Sequence, residues 1–81
     1  MMSKIAVIIP AFNEALSIGQ VVEALPNQVN EVIVVDNNST DTTQIIAKEK
    51  GATVLFEPKK GYGYACLKGI HYLASDPPEI V

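Results

Sequence analysis

The residues best suited to chemistry form a polar cluster at positions 36–41, directly after four β-branched apolar residues at positions 32–35. The cluster holds two carboxylates, two amides and two hydroxyls, which can cap a helix and can also accept hydrogen bonds from a ligand. The apolar run before it is typical of a strand buried on both faces in a parallel sheet. Open α/β sheets bind nucleotides where such strands end. The cluster therefore predicts a nucleotide site.

Asp36 is the strongest candidate for ligand contact in this cluster. A carboxylate directly after a buried apolar run is partly desolvated unless a hydrogen-bond donor reaches it. A base N–H or a ribose hydroxyl is one source of donors, and the backbone amides of an Asx-turn are the other. We favour ligand contact, because Asp36 and Glu14 are predicted to end adjacent parallel strands at the same edge of the sheet. Asn37, Asn38 and Ser39 are more often turn formers than ligands.

A second polar turn, Pro-Ala-Phe-Asn-Glu at positions 10–14, follows the apolar run at positions 5–9. Its backbone groups can meet a ligand while Glu14 accepts a hydrogen bond from a sugar or base hydroxyl. Alternatively, the turn only caps a helix, with Asn13 as the N-cap and Glu14 near the positive end of the helix dipole. The residues leave both readings open.

The loop Lys-Lys-Gly-Tyr-Gly-Tyr at positions 59–64 precedes a predicted helix. Exposed N–H groups, the helix dipole and lysine charge together suit a phosphate, although such loops are more often solvated surface. Neither a Walker A loop nor a GxGxxG after the first strand is present, which weakens a dinucleotide-binding reading. For Tyr62 and Tyr64, packing within the loop is favoured over stacking on a base. His71 has no triad partner at a suitable spacing and is predicted to be structural or exposed.

Composition limits the class of protein. The chain has 81 residues, 48% hydrophobic and 19% charged, with a net charge of −3, which disfavours general nucleic-acid binding. Its apolar runs are far shorter than the ~18 residues of a membrane span. Cys66 is the single cysteine, so no disulfide framework is available, and we expect it to be a small core residue. A reducing, cytoplasmic setting is the expectation.

The elements predicted around these motifs alternate strand and helix. Strands are expected at positions 5–9, 31–36 and 53–56, with a fourth opening at 79–81, and Pro10 is expected to end the first. The first helix should bury Ile18, Val21, Val22 and Leu25 and end at Pro26-Asn27. The second should be capped by Ser39, Thr40 or Asp41, face the sheet with Ile45 and Ile46, and close at Gly51. The third should run from about Tyr64 to Leu73, bury Cys66, Gly69, Ile70 and Leu73, and break at 75–78.

This β-α-β-α-β-α order predicts an α/β fold, a Rossmann-like parallel sheet with flanking helices. A compact domain does not normally end as a strand opens. We therefore expect residues 1–81 to be the nucleotide-binding portion of a larger domain.

Three motifs in this order and spacing resemble the family 2 glycosyltransferases: Pro-Ala-Phe-Asn-Glu at 10–14, Val-Val-Asp-Asn-Asn-Ser-Thr-Asp at 34–41 and Lys-Gly-Tyr-Gly-Tyr-Ala at 60–65. The most similar branch includes dolichyl-phosphate mannosyltransferases and related polyprenyl-phosphate sugar transferases. The resemblance covers the chain from Lys4 to about Leu73 and implies a GT-A fold. The family often has a second acidic residue at the position of Asn37 and a glycine at that of Asn38, where asparagine also tolerates a left-handed turn.

The resemblance also implies roles for particular residues. Pro10 and Ala11 would line the nucleotide pocket through their backbone, Glu14 would reach the ribose or base, and Asp36 would accept from the base. Lys60 and Gly61 would lie near the base or diphosphate, and Asn13 and Asp41 would mainly shape the two turns. The expected nucleotide-binding set is Pro10, Ala11, Glu14, Asp36, Asn38, Lys60 and Gly61.

The implied reaction is transfer of a sugar, with inversion, from a UDP- or GDP-sugar to an acceptor hydroxyl or a polyprenyl phosphate. The family's metal-binding Asp-x-Asp motif follows the fourth strand. We therefore expect Mg²⁺ or Mn²⁺ in the complete enzyme, no metal ligands in this chain, and no turnover by this chain alone. A polyprenyl-phosphate acceptor would bring the complete protein to a membrane surface. The alternatives are a non-catalytic nucleotide-binding module and an α/β interaction domain that forms a homodimer through its open sheet edge.

Overall fold

A computed structural model describes residues 4–74 and 79–80 as a four-stranded sheet with flanking helices. In chain order the elements are β1 (Ile5–Ala11), α1 (Ile18–Glu23), β2 (Glu31–Asp36), α2 (Thr43–Glu49), β3 (Thr53–Phe56), α3 (Tyr62–Leu73) and β4 (Glu79–Ile80). The strand order is β3-β2-β1-β4, and every described pairing is parallel. The predicted Rossmann-like architecture is confirmed.

The core lies on both faces of β2. On one face Val34 packs with Ile18 of α1 and Ala47 of α2. On the other face Ile33 and Val35 pack with α3. All three β2 residues are fully buried, which explains why β2 reads as an unbroken apolar run rather than an alternating one.

Pro10 does not end the first strand as predicted, because β1 continues to Ala11. The Ala11 carbonyl accepts a hydrogen bond from the Asn37 N–H on the β2 side, so by alternation the Pro10 nitrogen faces the β4 side. The described β1–β4 pairing involves only Ile5 and Ala6 of β1. Proline therefore removes no described ladder hydrogen bond here, and the strand tolerates it.

The helices do not begin at the predicted residues. Ser17, not Asn13, is the N-cap of α1, because Asn13 has a φ of 52° and belongs to a left-handed turn. Thr42 precedes α2 in the N-cap position that was predicted for Ser39, Thr40 or Asp41. The third helix begins at Tyr62, two residues earlier than expected, after Gly61 in the N-cap position. Gly51 follows α2 with a φ of 91°, as a closing glycine should.

The apolar faces of the helices are also partly mispredicted. Val21, Ile45 and Ile70 are 43%, 58% and 44% exposed, and Cys66 is only partly buried. In α3, Gly69 and Leu73 are buried as predicted. Small residues that the pattern did not single out are buried as well: Thr43 and Ala47 in α2, and Ala65 in α3. Small side chains let the helix backbones approach the strands closely, which a count of large apolar residues does not reveal.

The predicted helix breaker at positions 75–78 and the last predicted strand residue, Val81, lie outside the described residues. Within the described part of the chain, no helix has both the length and the apolar character required to cross a bilayer.

Candidate functional site

A cleft of about 350 Å³ opens at the carboxyl edge of the sheet, where β1 and β2 end side by side. Its lining residues come from the end of β1, the loops after β1 and β2, and the start of α3: Pro10, Ala11, Phe12, Glu14, Asn37 and Tyr62. Three residues predicted to bind a nucleotide, Pro10, Ala11 and Glu14, are thus brought together. Asp36, Asn38, Lys60 and Gly61 lie in the adjoining segments rather than in the lining itself.

Asp36 pairs with Ala11 across the two strands and is fully buried. Its Oδ2 accepts hydrogen bonds from the Ser39 N–H at 3.1 Å and from Gln44 Nε2 at 2.8 Å. Its Oδ1 is buried and has no hydrogen-bond partner in the described structure. A buried carboxylate oxygen without a donor is costly. Asp36 therefore keeps one unpaired acceptor, buried beside the edge of the sheet where the cleft lies.

Asn37 fastens the loop between β3 and α3 to the end of β2. Its Nδ2 donates to the carbonyls of Glu57 at 3.0 Å and Lys59 at 2.7 Å, and its Oδ1 accepts from the Gly61 N–H at 2.9 Å. The residue is only 8% exposed. This role was missed at the sequence level, where Asn37 looked like a turn former. The bonds go to backbone groups 20 to 24 residues away, and no local pattern announces them.

The loops after β1 and β2 are joined through Asn13. Its backbone N–H donates to Ser39 Oγ at 2.8 Å, and its Oδ1 accepts from the Thr40 N–H at 2.8 Å. Asn13 and Asn38 both have positive φ, at 52° and 67°, which asparagine tolerates better than most residues. The polar side chains of the two turns thus bond to each other's backbone.

A second set of bonds joins the same loops beside the cleft. The Glu14 N–H donates to Thr43 Oγ1 at 2.9 Å, and the Ala15 N–H donates to Asp41 Oδ2 at 3.2 Å. The backbone N–H and the hydroxyl of Thr43 both donate to Asp41 Oδ1. The hydrogen bond from the Thr43 hydroxyl is the main reason that the pKa of the Asp41 carboxyl is lowered. Hydrogen bonds from backbone N–H groups lower the pKa further, while desolvation raises it in part.

Glu14 itself is exposed at the cleft, where its Oε2 accepts a hydrogen bond from Ser17 Oγ at 2.9 Å. The carboxylate therefore lies where a ligand hydroxyl can reach it. His71 is exposed in the last turn of α3, in agreement with the prediction that it is structural or exposed.

Positive charge and aromatic rings border the cleft on the α3 side. Lys60 Nζ lies 5.0 Å from the ring centroid of Phe12, a lining residue, and Lys59 Nζ lies 5.4 Å from that of Tyr64. Tyr62 is 74% exposed and lines the cleft, so the prediction that it packs within the loop is wrong. The arrangement offers ring faces for stacking and a cation for an anionic ligand.

A larger cavity, of about 420 Å³, lies at the other end of β1. It is lined by Ile5, Val7, Leu25, Pro26, Gln28 and Val29, and so by no ionisable side chain. Although it is larger, it lacks the convergent polar groups that the smaller cleft has.

The chain belongs to glycosyl transferase family 2, whose family model matches residues 6–80. It is 42% identical over 74 residues to an uncharacterized glycosyltransferase of Mycobacterium bovis, a match that covers 91% of this chain and 33% of that protein. It is 46% identical over 61 residues to an uncharacterized glycosyltransferase of Rickettsia felis, covering 75% of this chain and 22% of that protein. The chain thus spans about a third or less of these relatives.

Solved structures of glucosyl-3-phosphoglycerate synthase from Mycobacterium tuberculosis share the fold. One, in complex with Mn²⁺, UDP and glucosyl-3-phosphoglycerate, has a TM-score of 0.77 and 29% identity, covering 98% of this chain and 33% of that one. Another, in complex with Mn²⁺, UDP-glucose and glycerol 3-phosphate, has a TM-score of 0.75 and 30% identity, covering 86% and 30%. The GT-A fold implied by the sequence resemblance is confirmed; the dolichyl-phosphate branch stays a prediction.

The described residues do not fit a metal site of their own. Within residues 4–74 and 79–80, no three His, Cys, Asp or Glu side chains are grouped so that they could hold a metal ion. The carboxylates at the cleft are therefore assigned no metal-binding role.

Proposed function

We propose that this chain binds the nucleoside diphosphate part of a UDP- or GDP-sugar, and that the protein containing it transfers the sugar to an acceptor. One observation carries the proposal: Asp36 Oδ1, buried beside the edge of the sheet where the cleft lies, has no hydrogen-bond partner in the described structure. An acceptor that no protein group satisfies suits a ligand donor.

In this proposal each part of the nucleotide has a matching group. Asp36 Oδ1 accepts from a ring N–H, which both uracil and guanine carry. Glu14 accepts from a ribose hydroxyl, and Lys60, whose ammonium lies over Phe12, attracts the diphosphate. Backbone groups of Pro10 and Ala11, with the ring of Tyr62, form the walls.

Similarity supports the same reading. The M. tuberculosis synthase that shares this fold is seen with UDP and with UDP-glucose, at 29% and 30% identity. The region matched includes both loops that border the cleft, because the family model runs from residue 6 to residue 80.

The proposed reaction is attack of an acceptor oxygen on the anomeric carbon of the sugar. The bond from that carbon to the diphosphate breaks, the nucleoside diphosphate leaves, and the configuration inverts. This chain's contribution is to bind and orient the donor. A divalent metal is proposed for the whole protein by similarity to the Mn²⁺ complexes, and it would neutralise charge on the leaving diphosphate. Within the described residues no three metal-ligating side chains are grouped, so holding that metal is not part of the role proposed for this chain.

We also propose finer features of the whole protein, which were predicted from the sequence. They are an acceptor hydroxyl or polyprenyl phosphate, a cytoplasmic location with membrane association for a lipid acceptor, and a homodimer formed through the open edge of the sheet. In the described four-stranded sheet that edge includes β3, whose backbone groups on its outer side are where a second strand would pair.

Calorimetric titration with UDP, GDP and NADH tests the binding step. The proposal expects UDP or GDP to bind and NADH not to bind. Asp36→Asn is the sharpest variant, because its amide oxygen can still accept from Ser39 and Gln44 while its NH₂ group replaces Oδ1. A donor then stands where an acceptor was, and we expect affinity to fall by about tenfold or more.

Glu31→Gln is the matched control, since it neutralises a carboxylate at the opposite end of the same strand, where Glu31 pairs with Lys4. If wild-type protein binds neither UDP nor GDP, the proposal is wrong. If Asp36→Asn and Glu31→Gln lower affinity equally, the unpaired Oδ1 of Asp36 is not the base contact. Binding without any sugar transfer by the longer protein in Mg²⁺ or Mn²⁺ would favour the non-catalytic module instead.

A further inference from the structure

We infer that Asn37 is a positioning residue for the nucleotide site: its amide holds the 57–61 loop so that Lys60 and Tyr62 border the cleft. This inference rests on the proposed nucleotide binding and adds to it a residue whose part is to place other groups. The resembling family often has an acidic residue at this position, whereas the amide of this chain can supply donors that a carboxylate lacks.

The first step is that the whole amide is used. Both N–H bonds of Nδ2 point to carbonyls, those of Glu57 and Lys59, while Oδ1 accepts from the Gly61 N–H. Two donors and an acceptor in one planar group are what the loop requires. A carboxylate of the same shape has acceptors only, so it would place negative oxygen against two carbonyl oxygens.

The second step is what these bonds position. The Glu57 N–H donates to the Asp36 carbonyl and so anchors the loop where it leaves β3. Beyond that point, Asn37 supplies the described tertiary bonds at Lys59 and Gly61. Gly61, with a φ of 140°, is the N-cap of α3, so its N–H bond fixes where the helix begins.

The third step is that the anchored stretch carries the residues at the cleft. Tyr62, which directly follows Gly61, lines the cleft. Lys60, between the two anchored residues, lies over the ring of Phe12 on the opposite wall. Without the amide, Lys60 and Tyr62 would remain on the chain but would no longer be held at the ligand.

Asn37→Asp tests the requirement for an amide. Burial beside two carbonyl oxygens raises the pKa of the introduced carboxyl, because both features disfavour its charged form. When protonated, that carboxyl regains one donor and the loop recovers part of its anchoring. We therefore expect the variant to bind UDP or GDP about tenfold more weakly than wild type near pH 8, and within about twofold of it near pH 5.

Other ionisable groups surround this position in both proteins, so the measured quantity is the ratio of variant to wild-type Kd at each pH. Asn27→Asp makes the same chemical change in the exposed loop at the opposite edge of the sheet, and its ratio should stay near one. The surrounding ionisable groups are Asp36 at the end of β2, Glu14 after β1, Glu57, Lys59 and Lys60 in the 57–61 loop, and Tyr62 at the start of α3.

A second variant, Asn37→Ala, removes all three hydrogen bonds, and its hydrogen exchange is measured in the absence of ligand. Amide hydrogen exchange at Gly61 should accelerate about tenfold, because its N–H loses its acceptor. In the control variant Asn27→Ala, the Gly61 amide should exchange at the wild-type rate. Circular dichroism shows whether each variant is folded, and affinity is compared only under conditions where it is.

The outcomes separate the two proposals. If wild-type protein binds neither UDP nor GDP, nucleotide binding is wrong, and the inference is overturned with it. If wild type binds and Asn37→Asp matches it at every pH, only the inference is overturned. A Kd ratio that is high but independent of pH would also overturn it, since the requirement for an amide donor would then be absent.

Discussion

Asn13 and Thr40, 27 residues apart, join the two loops that follow β1 and β2: the Thr40 N–H donates to Asn13 Oδ1 over 2.8 Å. The Asn13 backbone is left-handed, and its own N–H donates to Ser39. One loop carries Glu14 and the other begins with Asn37, both of which line the cleft. The pair therefore sets the spacing between two walls of the candidate site.

A substitution series at Asn13 separates the conformational part of this link from the hydrogen-bonded part. Asn13→Ala loses the side-chain bonds and adds left-handed strain, for an expected loss of about 2 kcal/mol in the free energy of unfolding. Asn13→Gly loses only the bonds and should cost about 1 kcal/mol, while Asn13→Asp retains the acceptor and should cost least. Urea denaturation gives the order, and equal values for alanine and glycine would contradict the contribution of strain.

Asp41 predicts a dependence of stability on pH. Its folded-state pKa is lowered, chiefly by the Thr43 hydroxyl, so between the folded and unfolded pKa values the unfolded chain binds more protons. The stabilisation is then complete above the unfolded pKa and is lost as pH falls through the folded pKa. Asp41→Asn should be less stable than wild type near neutral pH, and the difference should shrink in acid. Urea midpoints between about pH 3 and pH 7 test this, with exposed Glu49→Gln as the control; a constant difference would contradict it.

The approach of α3 to β1 predicts a steric effect at Gly69. A Cβ there would lie 2.7 Å from Ile8 Cγ2 and 2.9 Å from Ile8 Cδ1, so Gly69→Ala should lower the free energy of unfolding by about 1–3 kcal/mol. Gly63→Ala in the same helix meets no atom within 4 Å and should be neutral or stabilising. In a double-mutant cycle, Ile8→Ala should recover part of the Gly69→Ala loss. Additive losses would show that the two side chains do not compete for space.

The same contact shows why the fold could be predicted better than the helix faces. The strands were found because buried β-branched runs such as 32–35 carry their own signal. The faces of α2 and α3 depend instead on how near each helix lies to the sheet, and there Ala65 is buried while Ile70 is exposed. Pro10 was misread for a related reason, because its position relative to a neighbouring strand decides whether proline breaks a ladder.

The candidate site divides in the same way. The turn after β1 and Asp36 were recognisable because strand ends with polar residues are adjacent in a parallel sheet. The bonds of Asn37 to residues 57–61 were not, since they depend on where the third strand returns the chain. The sequence feature most closely related to these bonds is Gly61. Its φ is positive, which few residues other than glycine adopt, and its backbone N–H is one of the bonded groups.

Gln44 gives the last prediction, because its Nε2 supports Asp36 Oδ2 at 2.8 Å from the first turn of α2. Gln44→Leu leaves Asp36 with the Ser39 N–H as its described donor, and the carboxylate is then less firmly oriented. We expect nucleotide affinity to fall about fivefold and the free energy of unfolding by about 1 kcal/mol. Gln20→Leu, at an exposed position of α1, is the matched control. If Gln44 acts through Asp36, Gln44→Leu should lower affinity little further once Asp36→Asn is present. Independent, additive losses would instead mean that Gln44 reaches the ligand by another route.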